Sequence, residues 1–327
     1  MNRMLYHVIV RVVTSVTVLL LAASPTIAQT YPNKPIRMLL PFPPGGGTDS
    51  LARIILPRMS QALGQSFVID NRPGAAGNLA AEIVTKSAAD GYTLLMGSST
   101  GMTAAQSLYK LAFDLIKDFA PITQFATASF ILVVHPSVPA KTVSELVALA
   151  KAKPGSLNYA SGGIGSQPHL AAELFKSRAG VDIVHVAYKG GSPAAMAVLA
   201  GEAQLIFGSV SASLAQVRAG RLRALAVTGL KRTALTPELP TLDESGFPGF
   251  NVETWASFEA PKGTSRNIIR RIHDETVKVL RLPDVIEAMN KIGYAPTGTT
   301  PEQYADIKRT ESAMWAKLIK NANIRAD

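Results

Sequence analysis

The sequence predicts an α/β protein of two lobes joined by two crossover strands, with a cleft between them. Three observations carry that reading. Short β-rich apolar runs alternate with amphipathic helical stretches in two successive sets; a long β-type run over 121–136 separates the sets; and a second extended run over 252–261 is followed only by helices.

In the first set, IRMLLPF (36–42) precedes a helical stretch from Asp49 to Leu63, where Leu51, Ile54, Ile55 and Met59 recur at helical spacing. SFVIDN (66–71) precedes a helix from Asn78, and YTLLMGSS (92–99) precedes a third. Strand-then-helix units of this kind predict a parallel, doubly wound sheet. After PITQFATASFILVVHP (121–136) the alternation restarts: helix 142–152, LNYASG (157–162), helix 166–178, IVHVAYKG (183–190), helix 193–200, AQLIFGS (203–209), helix 211–219 and RALAVTG (223–229). A Pro- and Gly-rich stretch (236–250) leads to VETWASFEAP (252–261), then to helices over 264–281, 284–291 and 301–322. Lobe 1 is therefore expected to be discontinuous, 29–128 plus 255–327, and lobe 2 to span 129–254. Hinges are expected near 126–131 and 252–257, a geometry suited to closing around a ligand.

A chain of 327 residues without cysteine can bury a full core unaided, and it excludes disulfide scaffolds, thiol catalysis, iron–sulfur clusters and cysteine-ligated zinc. The net charge is +10, but the charges are interspersed and no basic helix is present, which argues against nucleic acid as a partner. Residues 1–28 carry Arg3 and Arg11, an apolar run from Val12 to Ala23 and small residues before Gln29. This is the pattern of a secretory signal cleaved after Ala28, and it predicts a soluble protein that works outside the cytoplasm.

Four Gly- or Ser-rich loops fall between a predicted strand and a predicted helix: 41–50, 72–78, 97–101 and 160–169. In open α/β sheets that end of the strands holds the ligand crevice. The first helical N–H groups lack intrahelical acceptors and the helix dipole is positive there, so an anion can be held without Lys or Arg. Gly45, Gly46 and Gly47 on one side and Gly162, Gly163 and Gly165 on the other would let the backbone approach a ligand. Asp49 reads as the N-cap of the first helix or as a polar partner for a ligand.

Gly97-Ser98-Ser99-Thr100-Gly101 matches the short G-x-S-x-G pattern, with His135, His169 and His185 downstream as possible bases, so an exported serine hydrolase is the competing class. The last histidine, His273, sits inside a predicted helix rather than in a terminal catalytic loop. The 163–168 loop lacks the third glycine of a dinucleotide fingerprint, no P-loop occurs, and no H-x-x-x-H spacing exists. No cofactor and no metal are expected.

Several segments resemble the substrate-binding proteins of tripartite tricarboxylate transporters, the Bug or TctC-type receptors. They are Pro41-Phe42-Pro43-Pro44-Gly45-Gly46 with Asp49, Asn71-Arg72-Pro73-Gly74-Ala75-Ala76-Gly77-Asn78, Asp90-Gly91-Tyr92-Thr93-Leu94, Tyr159 through Ser166 with His169-Leu170, Val186 through Gly191, and the Trp255 segment ending in Ala260-Pro261-Lys262-Gly263. The resemblance implies a type II, Venus-flytrap periplasmic binding protein, monomeric, that closes on a small carboxylate and delivers it to a two-component membrane permease. A sensory subunit for a membrane kinase is the variant reading. By the same resemblance the ligand would be held at Phe42, Pro44, Gly45, Gly46 and Asp49 in the first lobe, and at Ser161, Gly163, Gly165, Ser166 and His169 in the second. Ser98, Ser99, Tyr188 and Gly190 match further pocket-facing turns, and Asn78 closes the 72–78 segment. Where many relatives carry an aspartate after the 203–207 strand, this chain has Phe207-Gly208-Ser209, so Ser209 takes that place in the pocket.

Overall fold

The computed structural model describes residues 31–74 and 77–326. The leader expected over 1–28 lies outside the described residues, as do Ala75 and Ala76 of the 72–78 loop.

In the first half, β1 (Ile36–Leu40) pairs in parallel with β2 (Phe67–Asn71) and with β3 (Thr93–Ser98). The connections are α1 (Gly47–Leu63) and α2 (Asn78–Thr85), and β3 runs into two short helices, α3 (Ser99–Thr103) and α4 (Ala105–Leu108). Helix α1 begins at Gly47, two residues before the start the apolar spacing predicts, and Gly46 rather than Asp49 is its N-cap. Asp49 lies in the first turn, where its negative charge still favours the helix.

Strand β4 (Phe119–Val134) is 16 residues long and belongs to both halves. Its Phe119–Ser129 stretch pairs with β9 (Glu253–Pro261), while Phe130–Val134 pairs with β7 (Leu205–Ser209) and β8 (Arg223–Val227). Both faces of its second part are buried: Phe130, Leu132 and Val134 join one core cluster, Ile131 and Val133 another, as a period of two requires. Around it come α5 (Val143–Ala152), β5 (Asn158–Ser161), α6 (Gln167–Ala179), β6 (Val184–Ala187), α7 (Gly191–Leu199) and α8 (Val210–Arg218). The strand order is β2-β1-β3-β9-β4-β7-β5-β6, with β8 and the two-residue β10 (Ala295–Pro296) also on β4.

The all-parallel sheet that the strand-then-helix pattern predicts is thus confined to the outer strands. Strand β9 is antiparallel to β3 and β4, and β4 is antiparallel to β7 and β8. The reason is connectivity: β4 and β9 are not strands of βαβ units, so no crossover helix fixes them parallel. Register shifts at Pro121/Thr123, Gln124/Ala126 and Leu132/Val133 bend β4 where it passes between its partners.

Thr228, fully buried, ties the two passages between the halves together. Its N–H donates to the Phe130 carbonyl at 3.0 Å, its hydroxyl donates to the Val252 carbonyl at 2.6 Å, and the Val252 N–H donates back to the Thr228 carbonyl at 3.0 Å. Three helices close the chain, α9 (Arg266–Val279), α10 (Pro283–Lys291) and α11 (Pro301–Asn321). A capping box of Thr300 and Gln303 starts α11. This helix buries Tyr304 in the cluster holding Leu39, Leu95 and Trp255, and Trp315 in the cluster holding Leu132 and Phe175.

Candidate functional site

A cleft of about 690 Å³ opens where the loops after β1, β3, β5 and β7 meet the start of β9. That volume falls within the roughly 300–1,000 Å³ typical of small-molecule sites. Among the described residues that line it, none is Lys, Arg, His, Asp or Glu. Any charge brought there by a ligand must be met by N–H groups, hydroxyls and carboxamides.

The 41–50 loop is shaped from behind. Gly45 takes φ +88°, its N–H donates to Asp49 Oδ2 at 3.0 Å, and Arg53 Nε donates to the same oxygen at 2.8 Å. The Arg53 guanidinium, ahead of the Gly45 N–H and against the cost of burial, holds the Asp49 carboxyl below its usual range. Asn71 Nδ2 donates to the Phe42 carbonyl at 2.9 Å, which fixes the loop's other end. Phe42, Gly47 and Thr48 face the cleft; Pro44, Gly45, Gly46 and Asp49 do not line it.

Ser98 and Ser99 line the cleft at the β3–α3 turn. The Ser99 hydroxyl donates to Gln167 Oε1, and Gln167 Nε2 donates to the Glu253 carbonyl at 2.5 Å. One carboxamide therefore joins the turn after β3, the start of α6 and the start of β9. Among the described residues no imidazole bonds to Ser99, although a serine nucleophile needs a base within hydrogen-bond reach. Asn78 is buried at the start of α2 with its Oδ1 unpartnered, and it does not line the cleft.

In the second half, Gly165 and Ser166 line the cleft, whereas Ser161, Gly163 and His169 do not. The Ser161 hydroxyl accepts from the Gly163 N–H at 3.2 Å and contacts His185 Nε2 at 2.6 Å. His169 Nδ1 accepts from the Gly165 N–H at 3.1 Å, so that nitrogen is unprotonated. Burial, then the neighbouring His185, pushes the His169 pKa down to about 4. The His169 ring stacks on His185 at 4.0 Å, and His185 on Tyr159 at 4.8 Å. This stack is a rigid footing for the glycine loop. Tyr188 and Gly190 stay off the cleft and brace it: the Tyr188 N–H donates to the Ser161 carbonyl and the Gly190 N–H to the Gly162 carbonyl. Ser209 lines the cleft as N-cap of α8, its hydroxyl 3.0 Å from that of Ser211.

Much of the cleft's wall lies outside the residues the sequence singles out: Leu108 and Tyr109 at the end of α4, Ser129 and Phe130 in β4, Gln167, Thr254 and Trp255, and Ile292 through Tyr294. Gln167 and Trp255 carried a signal, since one sits in the 160–169 loop and the other in an expected hinge. Trp255 does two things: its ring is buried among core residues and borders the cleft, and its Nε1 donates to the Glu311 carboxylate at 3.0 and 3.1 Å. Nothing local in the sequence points to Ile292–Tyr294, which reach the cleft from the turn after α10.

Residues 51–324 match the family described as "Tripartite tricarboxylate transporter family receptor". The chain belongs to that family. This is a family of solute-binding receptors and not of enzymes, and the receptor's fold is that of periplasmic solute-binding proteins. It is 38% identical over 314 residues to the "UPF0065 protein in tcbD-tcbE intergenic region" of Pseudomonas sp. (strain P51), covering 94% of this chain and 93% of that protein. A protein of R. palustris solved with adipate is 36% identical with a TM-score of 0.76, over 90% of this chain and 100% of the other. The periplasmic binding protein BugD is 30% identical with a TM-score of 0.73, again over 90% and 100%. No helix among the described residues of the receptor is long and apolar enough to cross a membrane.

Proposed function

We propose that this receptor captures a small carboxylate in its cleft in the periplasm, closes on it, and presents it to a two-component membrane permease. The observation that carries the reading is the cleft's uncharged lining at the starts of α1, α6 and α8, because helix starts can hold an anion without a cation. A relative solved with adipate supports a carboxylate as the charged group.

Closure takes place between a lobe of 29–128 plus 255–327 and a lobe of 129–254, bending near 126–131 and 252–257. Phe42, Ser98, Ser99, Gly165, Ser166 and Ser209 touch the ligand. Pro44, Gly45, Gly46, Asp49, Ser161, Gly163, His169, Tyr188 and Gly190 shape the loops that do, and Asn78 stands at the start of α2. The receptor works as a monomer without cofactor, metal or catalysis, and its mature chain begins at Gln29.

A thermal-shift screen against carboxylates tests the reading. A ligand at a hundredfold excess over Kd stabilises the folded state by about 2.7 kcal/mol, a shift of several degrees. A panel of mono-, di- and tricarboxylates that leaves the melting temperature unmoved rejects it, as does stoichiometric labelling of Ser99 by a serine-directed probe.

A further inference from the structure

Along one edge of β4, β7 pairs from Val134 as far as Phe130, and β10 pairs with Thr127 and Ala126. Between those partners, Ala128 and Ser129 have β9 on their other edge and, among the described residues, no strand on this one. Val210, which follows Ser209, flanks the gap on one side; Gly293 and Tyr294, which precede Ala295, flank it on the other. These five residues line two cavities at once, the cleft and a second one of about 470 Å³. Thr254 lines the cleft and its neighbour Glu253 the second cavity, as successive strand residues facing opposite sides would. The two cavities therefore lie on opposite faces of the β4–β9 pair and meet at the gap.

Tyr294 is the largest side chain there. Its backbone is held from both directions: its N–H donates to the Met289 carbonyl at 2.9 Å as α10 ends, Gly293 makes the turn at φ +87°, and Ala295 is already in the sheet opposite Thr127. The Tyr294 hydroxyl is hydrogen-bonded with Thr254, which pairs with Ala128, and a Cβ on Gly47 would stand 3.3 Å from that hydroxyl. The ring thus spans from the open edge of β4, past the small Ala128 side chain, to the start of α1. Gly293 closes against α8, where a Cβ on it would lie 3.3 Å from Ser211 Cβ.

Leu108, Phe130, Ile164 and Ile292 give the cleft an apolar wall. Each methylene buried against such a wall strengthens binding about fourfold, until the chain meets an obstacle that cannot yield without overpacking. Past the gap, Leu230, Ala234 and Leu235 offer more apolar surface. We propose that Tyr294 determines how long a ligand the receptor accepts: its ring closes the gap beside Ala128 and Ser129, and a chain that outgrows the cleft is stopped there instead of entering the second cavity. This rests on the carboxylate-receptor reading and adds a specificity-determining residue to it.

Calorimetric titration with two series, butyrate to decanoate and succinate to sebacate, tests it on the wild type, Tyr294→Ala, Tyr294→Phe and the double variant Tyr294→Ala with Ala234→Phe. Wild-type affinity is expected to rise along the series that binds and then fall. In Tyr294→Ala the fall moves to longer acids, and the longest binds at least tenfold more tightly than to the wild type, about 1.4 kcal/mol, while the shortest changes little. Tyr294→Phe keeps the ring and the wild-type limit, and Tyr294→Leu, which keeps part of the volume, gives an intermediate one. Ala234 is exposed on the second cavity's lining, so Ala234→Phe refills that cavity without disturbing the core and removes the gain. The same limit in the wild type and Tyr294→Ala, an equal gain for short and long acids, or a gain that survives Ala234→Phe overturns the assignment and leaves the carboxylate receptor standing. Binding of no acid by any of the proteins removes the carboxylate reading and this inference with it.

Discussion

Leu108 and Gly165 meet across the cleft so closely that a Cβ on the glycine would lie 2.7 Å from the leucine Cδ1. Leu108 ends the short helix α4 and Gly165 belongs to the loop after β5, so this approach joins the α4 and β5 sides of the cleft. Gly165 also takes φ +74°, a conformation that costs a side-chain-bearing residue roughly 1–2 kcal/mol.

Two penalties at one position can be separated. Gly165→Ala is expected to weaken ligand binding by a factor of ten or more, about 1.4 kcal/mol. Adding Leu108→Ala removes the clash but not the backbone strain, so the double variant should recover part of the loss. Titration of all four proteins as a double-mutant cycle measures the coupling. A coupling indistinguishable from zero contradicts the contact.

Gln167 is the next test. Gln167→Leu keeps most of the side-chain volume and leaves the Ser99 hydroxyl and the Glu253 carbonyl without their partner. The expected loss is about 1–3 kcal/mol of unfolding free energy, read by urea denaturation of the ligand-free protein. Ser99→Ala alone should cost less, since Gln167 keeps its bond to the Glu253 carbonyl. The reverse order would place the contact elsewhere.

The carboxyl beneath Trp255 sets a pH dependence. Burial, against the Trp255 N–H and with help from the nearby Glu253, pushes Glu311 up to about 7 from an ordinary value of 4.5. A raised carboxyl pKa means the folded state holds the proton more tightly than the unfolded chain. Its stabilising contribution is complete below pH 4.5 and is lost as pH rises through 7, on the order of 3 kcal/mol over that window. Glu311→Gln should remove this loss, so that the variant gains stability relative to the wild type as pH rises between those values. Buried His169, lowered to about 4, runs the opposite way over part of this window, so the difference between variant and wild type is the readout, and a difference that does not change from pH 4.5 to 7 shows that Glu311 titrates normally.

Strand β9 and helix α11 share a fully enclosed ion pair, Lys308 Nζ to Glu259 Oε2 at 3.2 Å, with the Tyr304 hydroxyl donating to Glu259 and lying 2.7 Å from Ser257 Oγ. Removing one charge strands the other. Lys308→Met is expected to cost about 3–5 kcal/mol, and the double variant Lys308→Met with Glu259→Gln to recover much of it. Chemical denaturation of the three proteins decides whether the penalty is the unpaired charge or lost packing.

The elements of this fold were legible because each carries a local signal. Ile36–Leu40 and Leu205–Ser209 are apolar runs bounded by loops, and Leu51, Ile55 and Met59 repeat at helical spacing. The direction of β9 was not legible, since pairing with β3 and β4 is decided by residues far away in the chain. The site divides the same way. Its glycine loops announce themselves by composition, and Ser98, Ser99, Gly165, Ser166 and Ser209 do line the cleft. His169 and Asp49 sit in those loops as well but turn inward to hold amides, because a side chain's direction depends on the neighbour it finds. The apolar wall had no signature at all: Leu108 and Ile292 look like any core residue until the fold brings them together.

The uncharged lining of the cleft separates two tasks that many anion-binding proteins give to the same arginine. The full chain carries a net charge of +10, and +8 remains without Arg3 and Arg11 of residues 1–28, a field that draws anions from a distance and is weakened by dissolved salt. On the proposed reading the cleft holds its ligand through dipoles and hydroxyls at contact range, where salt screens little. Raising ionic strength should therefore slow the arrival of the ligand and leave its residence time nearly unchanged. A receptor built this way is expected to keep its affinity for a bound anion across swings in salinity that would weaken one relying on an exposed arginine.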